Sequence, residues 1–268
     1  MGELIPPAIP HLNDNTRKRI FVADTRGEAV WTSDLDHMSF TRIPVNFDGP
    51  IKATYNHVDK RVYVANSKGD SPLTTCTLSG SSLSTLLVGT YTGLTDIALA
   101  ERHQRLFAVF KDSNVIVVYY LPRRAPQPFV SSVLSNPRAV HVVESQGHVY
   151  FTHDNTIERI DISGSNRQVI VTLASSLRQS NSLTVDVESD RLFLIDGDRE
   201  NIISVNLDGS DMNMSFLPEN TVCIGITSFG GLLYWSDENS VVRISKTIPG
   251  SDVTTEGEFV DAAYLSIV

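Results

Sequence analysis

The chain has 268 residues, 41% of them hydrophobic and 20% charged, and its 22 basic against 31 acidic side chains give a net charge of −9. This is the composition of a globular chain able to bury a core, not of a disordered or fibrous one. The acidic balance argues against a nucleic-acid partner, and the longest apolar run, Val115 to Leu121, falls far short of the ~20 residues a membrane helix requires, so no membrane span is expected.

Residues 1–18 carry an early acid and several prolines where a secretory signal needs a basic flank and an apolar helix. They read as an N-terminal extension, and a cytoplasmic location is expected. From residue 19 a segment recurs: Arg19-Ile20-Phe21-Val22, Arg61-Val62-Tyr63-Val64, Arg105-Leu106-Phe107-Ala108, His148-Val149-Tyr150-Phe151, Arg191-Leu192-Phe193-Leu194 and Leu232-Leu233-Tyr234-Trp235. Its aromatic column, Phe21, Tyr63, Phe107, Tyr150, Phe193 and Tyr234, has spacings of 42, 44, 43, 43 and 41, the period of a solenoid or a propeller.

Each period holds four short β-branched and aromatic runs separated by Gly, Asn, Asp and Ser clusters. The fourth reads as Ala139–Val143, Val149–Thr152, Ile157–Ile162 and Gln168–Leu173, and the fifth turns through Asp208-Gly209-Ser210 between its third and fourth strands. The first copy lacks an innermost strand, while the chain ends on Ala262 to Val268 with no repeat after it. The expected architecture is an all-β, six-bladed β-propeller over residues 19–268, with four antiparallel strands per blade and the C-terminal strand closing blade one. Cys76 and Cys223 are too few for a disulfide framework and are expected to stay reduced.

The sixth copy, Leu233-Tyr234-Trp235-Ser236-Asp237 followed by Val242-Arg243-Ile244, resembles the YWTD repeat of low-density-lipoprotein-receptor class propellers. Copies four and five follow it more loosely, the fifth through Val185-Asp186, Phe193 to Asp196 and Asn206-Leu207-Asp208-Gly209. With five degenerate tetrapeptides and no flanking cysteine-rich segment, the chain also looks like the stand-alone fungal propellers that include hetero-Diels–Alderases. That second likeness implies a biosynthetic enzyme using no cofactor. It would bind a tropolone or polyketide together with a sesquiterpene-like alkene, dehydrate the first to an o-quinone methide and capture it by [4+2] cycloaddition. The receptor likeness implies a non-catalytic protein-binding module instead. A metal-dependent, lactonase-like propeller is a third reading, with Asp96, Asn181 and Asp186 as a loose ligand set. A homodimer is compatible with all three.

Aligning the inner strands by their distance from the aromatic column separates an apolar set from a polar one. The polar set is Lys52/Thr54, Asp96/Ala98, Ala139/His141, Ser182/Thr184, Cys223/Gly225 and Ala262/Tyr264, expected to lean toward the central channel. Its ionisable members, His141, Lys52, Tyr264 and Asp96, are the candidate catalytic residues, with His141 as an acid titrating near neutral pH. Arg138, Asn181 and Asp261 stand one position earlier, at the rim where the loops before the inner strands arrive, and join Thr54 and Thr184 as candidate binding residues. The plain structural alternative is an inter-blade ion pair between Lys52 and Asp96 and a satisfied core histidine at His141. Asp24, Asp196 and Asp237, at the ends of second strands, are expected to bind backbone amides between blades. His148 and His153 face opposite ways, so no metal site is expected there.

Overall fold

The computed structural model describes residues 18–86, 89–121, 125–131, 134–173, 182–196, 201–216, 223–236, 241–245, 254–256, 259 and 262–268. These form six four-stranded antiparallel sheets. Sheets two to six each take four consecutive strands: Pro50–Asn56 to Ser84–Thr85, Leu94–Ala100 to Pro126–Val130, Pro137–Val143 to Gln168–Thr172, Leu183–Asp186 to Asn213–Phe216, and Gly225–Phe229 to Thr254–Glu256. The first sheet joins Arg19–Asp24, Ala29–Asp34 and Thr41–Arg42 to the last strand of the chain, Ala262–Ile267, in the order last, first, second, third. Val22 lies opposite Leu265 and Phe21 opposite Ser266, so the two ends of the described chain share one sheet. The inner strands then pack in a cycle, each on the next and the sixth on Ala262–Ile267.

The period of the sequence arises from this packing. All six column aromatics are buried, Tyr63, Phe107 and Tyr150 completely. Each lies on a second strand whose other face supplies Val, Leu or Ala to the neighbouring sheet, so the core is a series of inter-sheet layers. The third-to-fourth strand turns also lock neighbours together. Gly164 lies against the Phe129 ring of the third sheet, and Gly209 against the Ile170 backbone of the fourth.

Cys76 is fully buried on a third strand, and Cys223 is 8% exposed just before the inner strand of the sixth sheet; neither forms a disulfide. Burial pushes the Cys76 thiol above its ordinary range. Both thiols should therefore resist a thiol reagent in the native protein and react after unfolding without reductant. Rapid reaction of the native chain would contradict this placement.

Candidate functional site

The strand pairing defines which inner-strand residues share a level. Opposite the aromatic column stand Thr54, Ala98, His141, Thr184, Thr227 and Ser266. Two residues earlier come Lys52, Asp96, Ala139, Ser182, Gly225 and Tyr264. This corrects the sequence alignment in the sixth and first sheets, where Cys223/Gly225 and Ala262/Tyr264 are replaced by Gly225/Thr227 and Tyr264/Ser266. In the sixth sheet the cause is hairpin length. Nine positions separate Thr54 from Tyr63 across a four-residue turn, but seven separate Thr227 from Tyr234, where Gly230 and Gly231 make a two-residue turn with φ of 55° and 76°. Thr227 was thereby missed, although the Gly-Gly pair was the sequence signal of a tighter hairpin; Ser266 was missed because no turn joins the closing strand to Arg19–Asp24, so nothing local sets their register.

The polar side chains at these levels are largely engaged between blades. Asp96, with no exposed surface, pairs with Lys52 Nζ of the preceding sheet at 3.1 Å. Its Oδ2 accepts the Val140 amide of the following sheet at 2.9 Å, and its Oδ1 accepts the Ile97 amide at 2.8 Å. One carboxylate thus ties three sheets. Burial pushes its pKa up, and Lys52 and the two amides pull in the opposite direction. Ser182, at the equivalent position, accepts the Ile226 amide of the next sheet at 2.9 Å, and Thr184 Oγ1 accepts the Ser228 amide at 3.2 Å. Ser266 Oγ donates to the Ala53 carbonyl across the closing seam.

His141 is half-buried and faces the channel, but enclosure by the ring and the neighbouring Lys52 charge push its pKa down to about 3. An acid titrating near neutral pH is therefore corrected to a neutral imidazole. The sign of the linkage follows. The unfolded chain protonates this histidine near 6.5 and the folded chain only near 3, so stability is lost as pH falls through that window. His141→Gln should flatten the acid limb of a urea-midpoint profile between pH 6.5 and 3; an unchanged profile would show that His141 is not held neutral.

Tyr264 is buried on the Lys52 level, and its charge interaction with Arg138 opposes the downward pull of burial on that guanidinium. Arg138 sits in a β-bulge at the start of its strand, its carbonyl accepting the Thr95 hydroxyl at 2.9 Å. Asn181 and Asp261 lie outside the described residues, as do Asp237 and the side chain of Asp196. Asp24 Oδ1 accepts the Gly27 amide at 2.8 Å, within its own turn. Of the loose metal set, Asp96 is committed to Lys52 and the amides, and Asp186 accepts the Ser189 hydroxyl. Among the described residues no three His, Cys, Asp or Glu side chains gather as metal ligands. His153 instead bonds Glu158 at 2.7 Å, and Arg167 bonds the same carboxylate.

Below the ion pair the channel widens. A neck of about 110 Å³, lined by Lys52, Thr54, Ala98, His141 and Thr227 among others, continues into a mouth of about 340 Å³ through the shared walls Leu99, Val142 and Ile267. This funnel opens at the hairpins that follow the inner strands, the face opposite the expected rim. There Glu101 accepts the His57 amide and imidazole Nδ1, and Glu144 accepts the Arg102 amide at 2.8 Å and His103 Nδ1 at 3.2 Å. Each glutamate fastens the hairpin of the preceding sheet.

Four-stranded antiparallel sheets packed in a cycle, each with a buried aromatic on its second strand, define a β-propeller. No family model matches the sequence. Over 169 residues, 60% of this chain, it is 29% identical to low-density lipoprotein receptor-related protein 5 of Mus musculus. Over 159 residues, 57% of the chain, it is 30% identical to the Homo sapiens protein of that name. Protein cueball of Drosophila yakuba is 34% identical over 111 residues, 39% of the chain. The matched stretches span 10% of the two receptor-related proteins and 17% of cueball. Among solved structures, a chain of the crystal structure of a nidogen/laminin complex superposes with a TM-score of 0.79 at 20% identity, over 93% of this chain and 98% of that one. These relatives correct the fungal biosynthetic reading. Receptor-type propellers are what the sequence matches, and the small-molecule tropolone and sesquiterpene partners expected from the other likeness are withdrawn with it.

Proposed function

We propose that the chain is a six-bladed, non-catalytic protein-recognition module of the receptor-type YWTD kind. The observation that carries this reading is the engagement of Asp96, Lys52, Ser182, Thr184 and Ser266 in bonds between neighbouring sheets. Side chains in the right place for chemistry are holding the ring together. The receptor-related proteins and cueball, and the nidogen/laminin assembly that shares the fold, support a protein ligand.

The ligand is placed on the face where the loops before the inner strands arrive, because a rigid ring presents such loops for variation at little cost to the core. Arg138, in the bulge at the start of its strand, is the described residue offered for that surface. The test is to identify a ligand by cross-linking from this face and measure its affinity by surface plasmon resonance. Arg138→Ala should weaken binding about tenfold, the scale of a recognition residue at an interface, with the melting temperature nearly unchanged. A large fall in melting temperature would make Arg138 structural, and unchanged affinity would remove it from the surface.

A further inference from the structure

The funnel on the hairpin face is a second, separate feature. Its neck ends on polar groups, Lys52, His141 and the Thr54 and Thr227 hydroxyls, while its walls, Leu99, Val142 and Ile267, are apolar. At the mouth stand Lys18 and the exposed Arg102. The two acidic residues there, Glu101 and Glu144, each already accept two donors from the neighbouring hairpin. Deeper in, Asp96 gives one oxygen to Lys52 and Ile97 and the other to Val140. Lys52 has three ammonium donors, of which Asp96 takes one. The funnel thus offers hydrogen-bond donors at its base, apolar walls above them and cations at its lip, the arrangement that accepts an anionic head on an apolar stem.

We propose that this funnel is a docking site for an acidic segment of a partner protein, whose Asp or Glu carboxylate enters the neck and is held by Lys52 and His141 while its neighbours lie against Leu99, Val142 and Ile267. The neck volume suits one side-chain head, and the 340 Å³ mouth suits the flanking residues of an extended segment. Burial and the nearby Lys52 charge keep His141 neutral, so it can offer a carboxylate an N–H donor beside the ammonium. The inference rests on the reading of the chain as a protein-binding module, but it concerns the face opposite Arg138.

The test uses the full chain and three probes: a blocked five-residue peptide with a central glutamate flanked by leucines, its glutamine counterpart, and glutarate. Calorimetry gives the affinities, and the imidazole resonances of His141 report occupancy of the neck. The glutamate peptide should bind at least about tenfold more tightly than the glutamine peptide, a difference of ~1.4 kcal/mol, and should shift the His141 signals. Ala98→Leu, which fills the neck beside His141, should abolish that binding with the urea midpoint unchanged. If that variant does not fold, Arg102→Glu at the exposed lip should weaken the glutamate peptide several-fold. Equal affinity of the two peptides, unmoved His141 signals, or undiminished binding by a folded Ala98→Leu protein would overturn the proposal. Glutarate binding as well as the peptide would overturn the protein segment as occupant. Arg138→Ala should leave peptide binding intact, so a failure here and a failure of the loop-face reading are told apart.

Discussion

Asp96→Ala should cost about 3–5 kcal/mol of stability, the usual consequence of removing one partner of a buried ion pair. Asp96 has no exposed surface and bridges Lys52, Ile97 and Val140. Its loss strands an ammonium in the channel and leaves the Val140 amide without that acceptor, so the seams on both sides of the third sheet loosen together. At ~2–4 °C per kcal/mol for a chain of this size, the melting temperature should fall by about 10 °C. Adding Lys52→Met should recover most of the loss, because the uncompensated charge goes while the volume stays. Calorimetric scans of the single and double variants check both statements. A loss below ~1 kcal/mol for Asp96→Ala, or no recovery in the double variant, would show that the pair does not hold the ring.

Gly209→Ala is the second large effect, and it acts through backbone alone. Gly209 turns the fifth sheet from its third to its fourth strand with φ at +86°, and a Cβ there would lie 2.2 Å from the Ile170 carbonyl oxygen of the fourth sheet. A left-handed conformation costs an ordinary residue ~1–2 kcal/mol. The collision adds to this, since a backbone carbonyl cannot swing aside as a side chain can. A total of about 2–4 kcal/mol is expected. Gly147 is the control: its φ is +70°, and no atom lies within 4 Å of its would-be Cβ. Gly147→Ala should show the conformational cost alone, and urea unfolding of the two variants isolates the inter-sheet contact as their difference. Equal losses would mean that the Asp208-Gly209 turn does not press on the fourth sheet.

Those two glycines show what was legible in the sequence and what was not. The Asp208-Gly209-Ser210 turn, the aromatic column and the closing strand were readable because each follows from local pattern: turn chemistry, strand alternation and a fixed period. Contact between Gly209 and Ile170 was not, since it depends on how one sheet leans on the next. The site divided in the same way. Lys52, Asp96 and His141 were found, and the ion pair was foreseen as the structural alternative to chemistry. The protonation of His141 was misjudged because enclosure by neighbouring sheets, which sets its pKa, has no signature in its own strand. Thr227 was missed for a simpler reason, that the alignment assumed one hairpin length in every repeat, and Ser266 because the closing strand meets Arg19–Asp24 with no turn between them to set the register.

The functional error has a different origin. Decayed tetrapeptides were weighed as marks of a catalytic group, but the polar inner-strand side chains are explained by the seams they close. A fold of this kind accepts many functions, and the scaffold does not choose among them.

One measurement separates a structural channel from a chemical one most directly: the affinity of the cross-linked loop-face partner for the Lys52→Met, Asp96→Leu double variant, compared with wild type and Arg138→Ala. The expected result is wild-type affinity for the folded double variant and about tenfold weaker binding for Arg138→Ala, the scale of a recognition residue. A folded double variant that has lost loop-face partner binding, with Arg138→Ala unaffected, would contradict it and make Lys52 and Asp96 part of the loop-face site.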